Sequence, residues 1–207
     1  MENLIILGTG VHSMEMVEIV ERVNRAQPAW NLLGFISPDG KMTGEIRNGY
    51  RVLGSVEKLA EHNEALIVPE FEWPRSAPVP FERMISLVDP TALVSRTAKL
   101  GRGSVIYPNC FVGHNATIGD YVFCLSGCAI NHDGIIEDRV TLASHVSLAG
   151  FVHVEADCYL GQACTVRQHI QIGKGSLIGM GSVVVKDVSP NSVMVGNPAR
   201  RLRDHHP

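Results

Sequence analysis

Residues 130–160 read INHDGIIEDRVTLASHVSLAGFVHVEADCYL, and every sixth residue is branched and apolar: Ile130, Ile136, Leu142, Leu148, Val154 and Leu160. An α-helix returns to the same face after three or four residues and a strand after two, so neither sustains a step of six. A solenoid of hexapeptide turns does. Extended in both directions, the step runs unbroken from Val88 to Val184. It makes seventeen hexads, of which sixteen begin with Val, Leu or Ile and one with Cys124.

The fifth place of each hexad repeats the message with small or β-branched residues such as Ser104, Ala116, Val122, Val140 and Ser182. Two inward side chains per hexad, three hexads per triangular coil and a strand spacing of about 4.8 Å predict nearly six coils, a prism on the order of 27 Å tall. Glycine recurs in the second place at Gly101, Gly113, Gly119, Gly161, Gly173 and Gly179, where backbone freedom for the turns is the expected reason. The register also points all five cysteines inward. Cys124 lies in a first place, and Cys110, Cys128, Cys158 and Cys164 lie in fifth places. An odd number without a CxxC pair reads as buried small hydrophobes.

Upstream of the repeat the pattern changes. Residues 3–7 (NLIIL) end at Gly8-Thr9-Gly10, and Met14, Val17, Ile19, Val20 and Val23 follow on a helix face. Leu32–Ile36 and Ala65–Val68 read as further strands, and Ser55 as the start of a capped helix. Strand, glycine turn and helix in that order open a βαβ unit, whose turn suits either a nucleotide sugar or a purely structural role. Ser13 stands where a dinucleotide fingerprint has its third glycine. The second strand ends at Ser37, with Asp39 beyond it, which argues against an NAD site. Residues 70–80, EFEWPRSAPVP, break regular structure and carry the chain toward the repeat. The expected division is 1–83 for the α/β domain with its linker, 84–189 for the β-helix and 190–207 for a C-terminal cap or tail.

Across 207 residues the chain is 45% hydrophobic and 19% charged, with a formal net charge of -3. That balance does not favour a nucleic-acid surface. No apolar stretch is long enough to cross a bilayer, and MENLIILGTG lacks the marks of a signal peptide, so a cytoplasmic location is expected.

With the register known, His114 and His132 fall in the third places of hexads eighteen residues apart, on one edge of the prism. A histidine beside Asp133 can serve as a general base near neutral pH. His145 and His169 occupy fourth places and are expected at other corners. No HxH or HxxxH spacing is present, so no metal site is expected.

These residues carry a resemblance. The GTGVHS turn, the hexads, INHDGIIEDRVTLASHVSLAG and the terminal VVVKDVSPNSVMVGNPAR together resemble the sugar acetyltransferases of the sialic-acid and bacillosamine pathways. The resemblance implies a small α/β Rossmann-like domain followed by a left-handed parallel β-helix of hexapeptide repeats. It further implies a homotrimer with active sites between subunits, acetyl-coenzyme A as donor and a nucleotide-linked amino sugar as acceptor. By motif, His132 is the implied base and Asp133 its orienting acid, and the Gly150 N–H is the implied oxyanion donor. Gly161, Gly179, Met180, Asn197, Pro198 and Arg200 would line the coenzyme. Gly8, Thr9, Gly10, His12, Ser37 and His114 would contact the nucleotide sugar.

Three departures stand out: Glu137 replaces a turn glycine, Thr141 stands where some relatives have a second histidine, and Ser37 replaces an acidic run. O-acetylation of a sugar such as a sialic acid is the nearest alternative. A non-catalytic or metal-binding trimeric β-helix protein is the alternative from another class.

Overall fold

A computed structural model describes residues 1–74 and 77–205. Arg75 and Ser76 of the proline-rich segment and the last two residues of the tail lie outside the described residues. The chain divides into two compact units, Met1–Pro90 and Thr91–Pro207.

In the first unit, β1 (Glu2–Leu7) leads through α1 (Val11–Ala26) to β2 (Trp30–Ile36). A hairpin of β3 (Ile46–Arg47) and β4 (Tyr50–Gly54) follows, then β5 (Leu66–Pro69). The sheet order is β3-β4-β2-β1-β5. β1 lies parallel to both β2 and β5, and β4 is parallel to β2. As an interior strand flanked by β2 and β5, β1 buries Leu4, Ile5, Ile6 and Leu7 completely, which is why NLIIL is a continuous apolar run without alternation. Met16, Val17, Ile19 and Val20 form the buried face of α1.

Two sequence expectations change here. The segment after Ser55 is a 3-10 helix, Val56–His62, and Ser55 makes no side-chain cap; its hydroxyl turns to Glu57 instead. The hairpin of β3 and β4 leaves no legible pattern in the sequence, because its strands are only two and five residues long. Among the described residues α1 is the single α-helix of this unit, so a helical layer on each face of the sheet, as in a full doubly wound domain, is not formed.

The second unit is a left-handed parallel β-helix. Each hexad contributes a two-residue strand from its sixth and next first places, paired in parallel with the strand eighteen residues on, as Phe111–Val112 is with Ala129–Ile130. Three faces result, typified by the columns starting at Val105, Phe111 and Thr117. From Ile106 to Val184 every first-place residue is buried, as is every fifth-place residue from Ser104 to Val188. The five cysteines lie among them, buried and free. The tail adds Ser192–Val195, parallel to Leu177–Ile178, and an antiparallel strand, Arg200–Asp204.

The turn chemistry differs from the expectation. Second-place glycines do not have left-handed backbones. The left-handed residue is in the fourth place, fourteen times in succession from Gly103 to Gly181, with φ between 55° and 75°. Only four of these fourteen are glycine; the others include Asn109, Asp133, Phe151 and His169. The second-place glycines answer to stacking. A Cβ on Gly113 would lie 2.8 Å from the His132 backbone nitrogen, and one on Gly161 would lie 2.7 Å from that of Met180. Close approach of successive coils, not torsional freedom, excludes a side chain there.

Candidate active site

The hexads beginning at Val94, Val112, Ile130, Leu148 and Val166 are stacked on one face, so their third and fourth places form one corner. His114 and His132 are on it, one coil apart, as the register predicts. The Asp133 N–H donates to the His114 carbonyl at 2.8 Å, and the His114 Nδ1 pairs with the Thr97 hydroxyl at 2.9 Å.

His132 Nδ1 lies 2.9 Å from Asp133 Oδ2. That hydrogen bond holds the Asp133 carboxyl below its ordinary range, assisted by Asn115, whose amide donates to Asp133 Oδ1. An ionised carboxylate only accepts, so Nδ1 carries the proton of the neutral ring and Nε2 keeps its lone pair. Asn131, on the same turn, is tied down by its amide's bond to the Leu148 carbonyl at 2.7 Å.

One coil on, Gly150 leaves room for the imidazole. A Cβ on Gly150 would lie 2.5 Å from His132 Cε1 and 2.6 Å from Nε2. Gly150 is a buried residue, and its N–H donates to no group among the described residues. Phe151 stands edge-to-face to the His132 ring, with centroids 5.1 Å apart, and stacks on His169 at 4.8 Å.

His169 therefore belongs to the His132 corner, contrary to the expectation from the sequence. The count itself holds the answer, since Asp133, Phe151 and His169 are spaced by eighteen, and Phe151 is an apolar residue among the polar ones of this corner. His145 does stand on a different corner, over Gly127. Gly161, Gly179 and Met180 share that column; the first two are close-approach positions, while Met180 is 77% exposed. Near the tail, the Ala199 N–H bonds to the Val183 carbonyl and the Arg200 guanidinium to the Ala199 carbonyl, with Asn197-Pro198 between Gly196 and this anchor.

In the first unit the chain turns back between β1 and β5, the switch point at which open parallel sheets take ligands. The glycine turn is there, but it is filled. Glu70, at the end of β5, is buried and accepts from the Ser13 hydroxyl at 2.7 Å and the Gly10 N–H at 3.4 Å. A Cβ on Gly8, whose φ is 125°, would fall 2.3 Å from the Glu70 carboxyl. A carboxyl group of the chain itself thus lies against the glycine turn, held by the Ser13 hydroxyl and the Gly10 N–H. Of the other predicted contacts, Ser37 is buried and bonded to Asp39. His12 pairs with Glu15 and meets Phe71 edge-on. Thr9 is half-buried beside them in sequence.

The family model "hexapeptide repeat of succinyl-transferase" matches residues 152–186. The chain is 36% identical over 83 residues to an acyl-[acyl-carrier-protein]--UDP-N-acetylglucosamine O-acyltransferase of Pseudomonas aeruginosa. That stretch is 40% of this chain and 32% of the relative, so the chain spans about a third of the length of the curated relatives it matches. Two solved structures are similar along nearly the whole chain. One is the acetyltransferase domain of PglB from Neisseria gonorrhoeae, with TM-score 0.80 and 22% identity, covering 98% of this chain and 100% of that domain. The other is a mutant of GDP-perosamine N-acetyltransferase from Caulobacter crescentus in complex with CoA and GDP-perosamine, with TM-score 0.83 and 21% identity, covering 98% and 97%. At these identities the likeness establishes the fold. By its repeat and its fold, the chain is similar to the hexapeptide-repeat acyltransferases.

Proposed function

We propose that the protein transfers an acetyl group from acetyl-coenzyme A to the amino group of a nucleotide-linked amino sugar, with His132 as general base. The observation that carries this reading is the pairing of His132 Nδ1 with Asp133 beside the uncommitted N–H of Gly150. It provides a base with a free Nε2 and a donor for developing negative charge at one corner. The solved neighbours with CoA bound support the donor, and GDP-perosamine in one of them supports an activated amino sugar as acceptor.

In the reaction, His132 Nε2 takes a proton from the acceptor amine as its nitrogen bonds to the thioester carbonyl carbon. Asp133 stabilises the imidazolium, and the Gly150 N–H holds the oxyanion. As the carbon–sulfur bond breaks, His132 returns the proton to the departing thiolate. The cysteines take no part, since all five are buried.

In this reading the protein acts in the cytoplasm as a homotrimer with sites between neighbouring copies, and the first unit holds the nucleotide. Glu70 fills the glycine turn, so the nucleotide is read there through groups other than its phosphates. The test is coenzyme A release over a panel of UDP-, dTDP- and GDP-linked amino sugars, with His132→Ala alongside. Release with one acceptor, lost in the variant, is expected. Binding of acetyl-coenzyme A without release across the panel would turn the reading toward a hydroxyl acceptor, and absence of binding would overturn it.

A further inference from the structure

Phe151 is an unexpected occupant of its position. It holds a left-handed backbone with φ of 59°, a conformation that glycine and asparagine adopt most readily. Its side chain remains 48% exposed, so burial offers little in return. What it does have is two ring contacts: edge-to-face with His132 and face-to-face with His169, the ring planes of the latter pair only 13° apart.

The His132 side chain is 56% exposed, and an imidazole that open has freedom to swing about both side-chain torsions. Asp133 fixes one end of the ring through Nδ1, and Gly150 leaves it a seat. A hydrogen bond at one nitrogen still permits rocking about that bond. The Phe151 ring closes off this motion, and His169, in the same place of the following coil, keeps the Phe151 ring from turning aside. Edge-to-face geometry at this separation is attractive as well as steric.

We infer that Phe151, backed by His169, is a positioning residue that holds the His132 imidazole with Nε2 directed toward the acceptor. The inference rests on the reading of His132 as base and adds a residue that acts only through it. Phe151→Gly suits the left-handed backbone and leaves the fold intact; Phe151→Leu keeps bulk without the ring, and Phe151→Tyr keeps the ring. Phe151→Gly and Phe151→Leu should lower kcat about tenfold, as expected for a loosened base, with KM for either substrate within about twofold. Phe151→Tyr should restore the rate.

In a His132→Ala background, Phe151→Gly should leave the residual rate unchanged, because the group it positions is gone. Equal losses in both backgrounds, or a raised KM with kcat unchanged, would overturn the inference. The His132 ring-proton resonances give a readout independent of turnover. They should move and broaden in Phe151→Leu, and unchanged resonances would refute the positioning role. His132 resonances that respond to Phe151→Leu, in a protein whose wild-type form transfers no acetyl group, would leave the positioning intact and sink the proposed reaction.

Discussion

Gly150→Ala puts the account of the corner under the most direct strain. The glycine has an ordinary backbone, so alanine meets no torsional penalty, and it keeps the N–H proposed to hold the oxyanion. The added methyl would lie 2.5 Å from His132 Cε1 and 2.6 Å from Nε2, whereas ordinary contacts begin at 3.4 Å. The imidazole must therefore retreat by about 0.9 Å, a displacement of the size that costs on the order of 100-fold when it misplaces a reacting group. That corresponds to about 2.7 kcal/mol of transition-state stabilisation.

The obstructing atoms are the far end of an exposed side chain, so the fold gives way cheaply. The melting temperature should stay within about 3 °C, equivalent to about 1 kcal/mol for a chain of this size. Coenzyme A release under saturating donor, with thermal unfolding followed by circular dichroism, measures both. Activity within about threefold of wild type would refute the placement of the base over Gly150. A collapse of the melting transition would instead make Gly150 a packing residue.

Gly113→Ala is the contrasting substitution. Its methyl would meet backbone atoms of His132 and Asn131 at 2.8 and 2.9 Å, which cannot rotate away, so a loss of roughly 1–3 kcal/mol is expected in denaturant titration. Glu70→Ala strips the buried Ser13 hydroxyl and the Gly10 N–H of their acceptor and should cost about 1–3 kcal/mol; inorganic phosphate added to that variant should recover part of the loss, and indifference to phosphate would count against an anion-shaped turn. Burial raises the thiol of Cys158 to about 11 and that of Cys164 to about 12. At pH 8 both should therefore be silent toward a disulfide reagent until denaturant is added, and rapid reaction in the native protein would contradict their inward placement.

The period of six was enough to place the inward residues, the eighteen-residue coil and the stacking of His114 beneath His132, because a solenoid turns a distance along the chain into a position in space. Wherever contact partners are a multiple of eighteen apart, the sequence alone identifies them. That includes Asp133, Phe151 and His169, although the residue types obscured it. Only the tertiary structure decided why particular places need glycine. Torsion is local, but the clash of Gly113 with the backbone of the next coil arises only once coils are stacked, and left-handed turns accept asparagine, aspartate or phenylalanine when both flanking strands hold them. The glycine turn shows the same limit more sharply. Gly8 and Gly10 suit either a nucleotide sugar or a structural turn when read in sequence, yet Glu70, 57 residues after Ser13, is brought there by the pairing of β5 with β1. Nothing periodic connects those two positions; the sheet does.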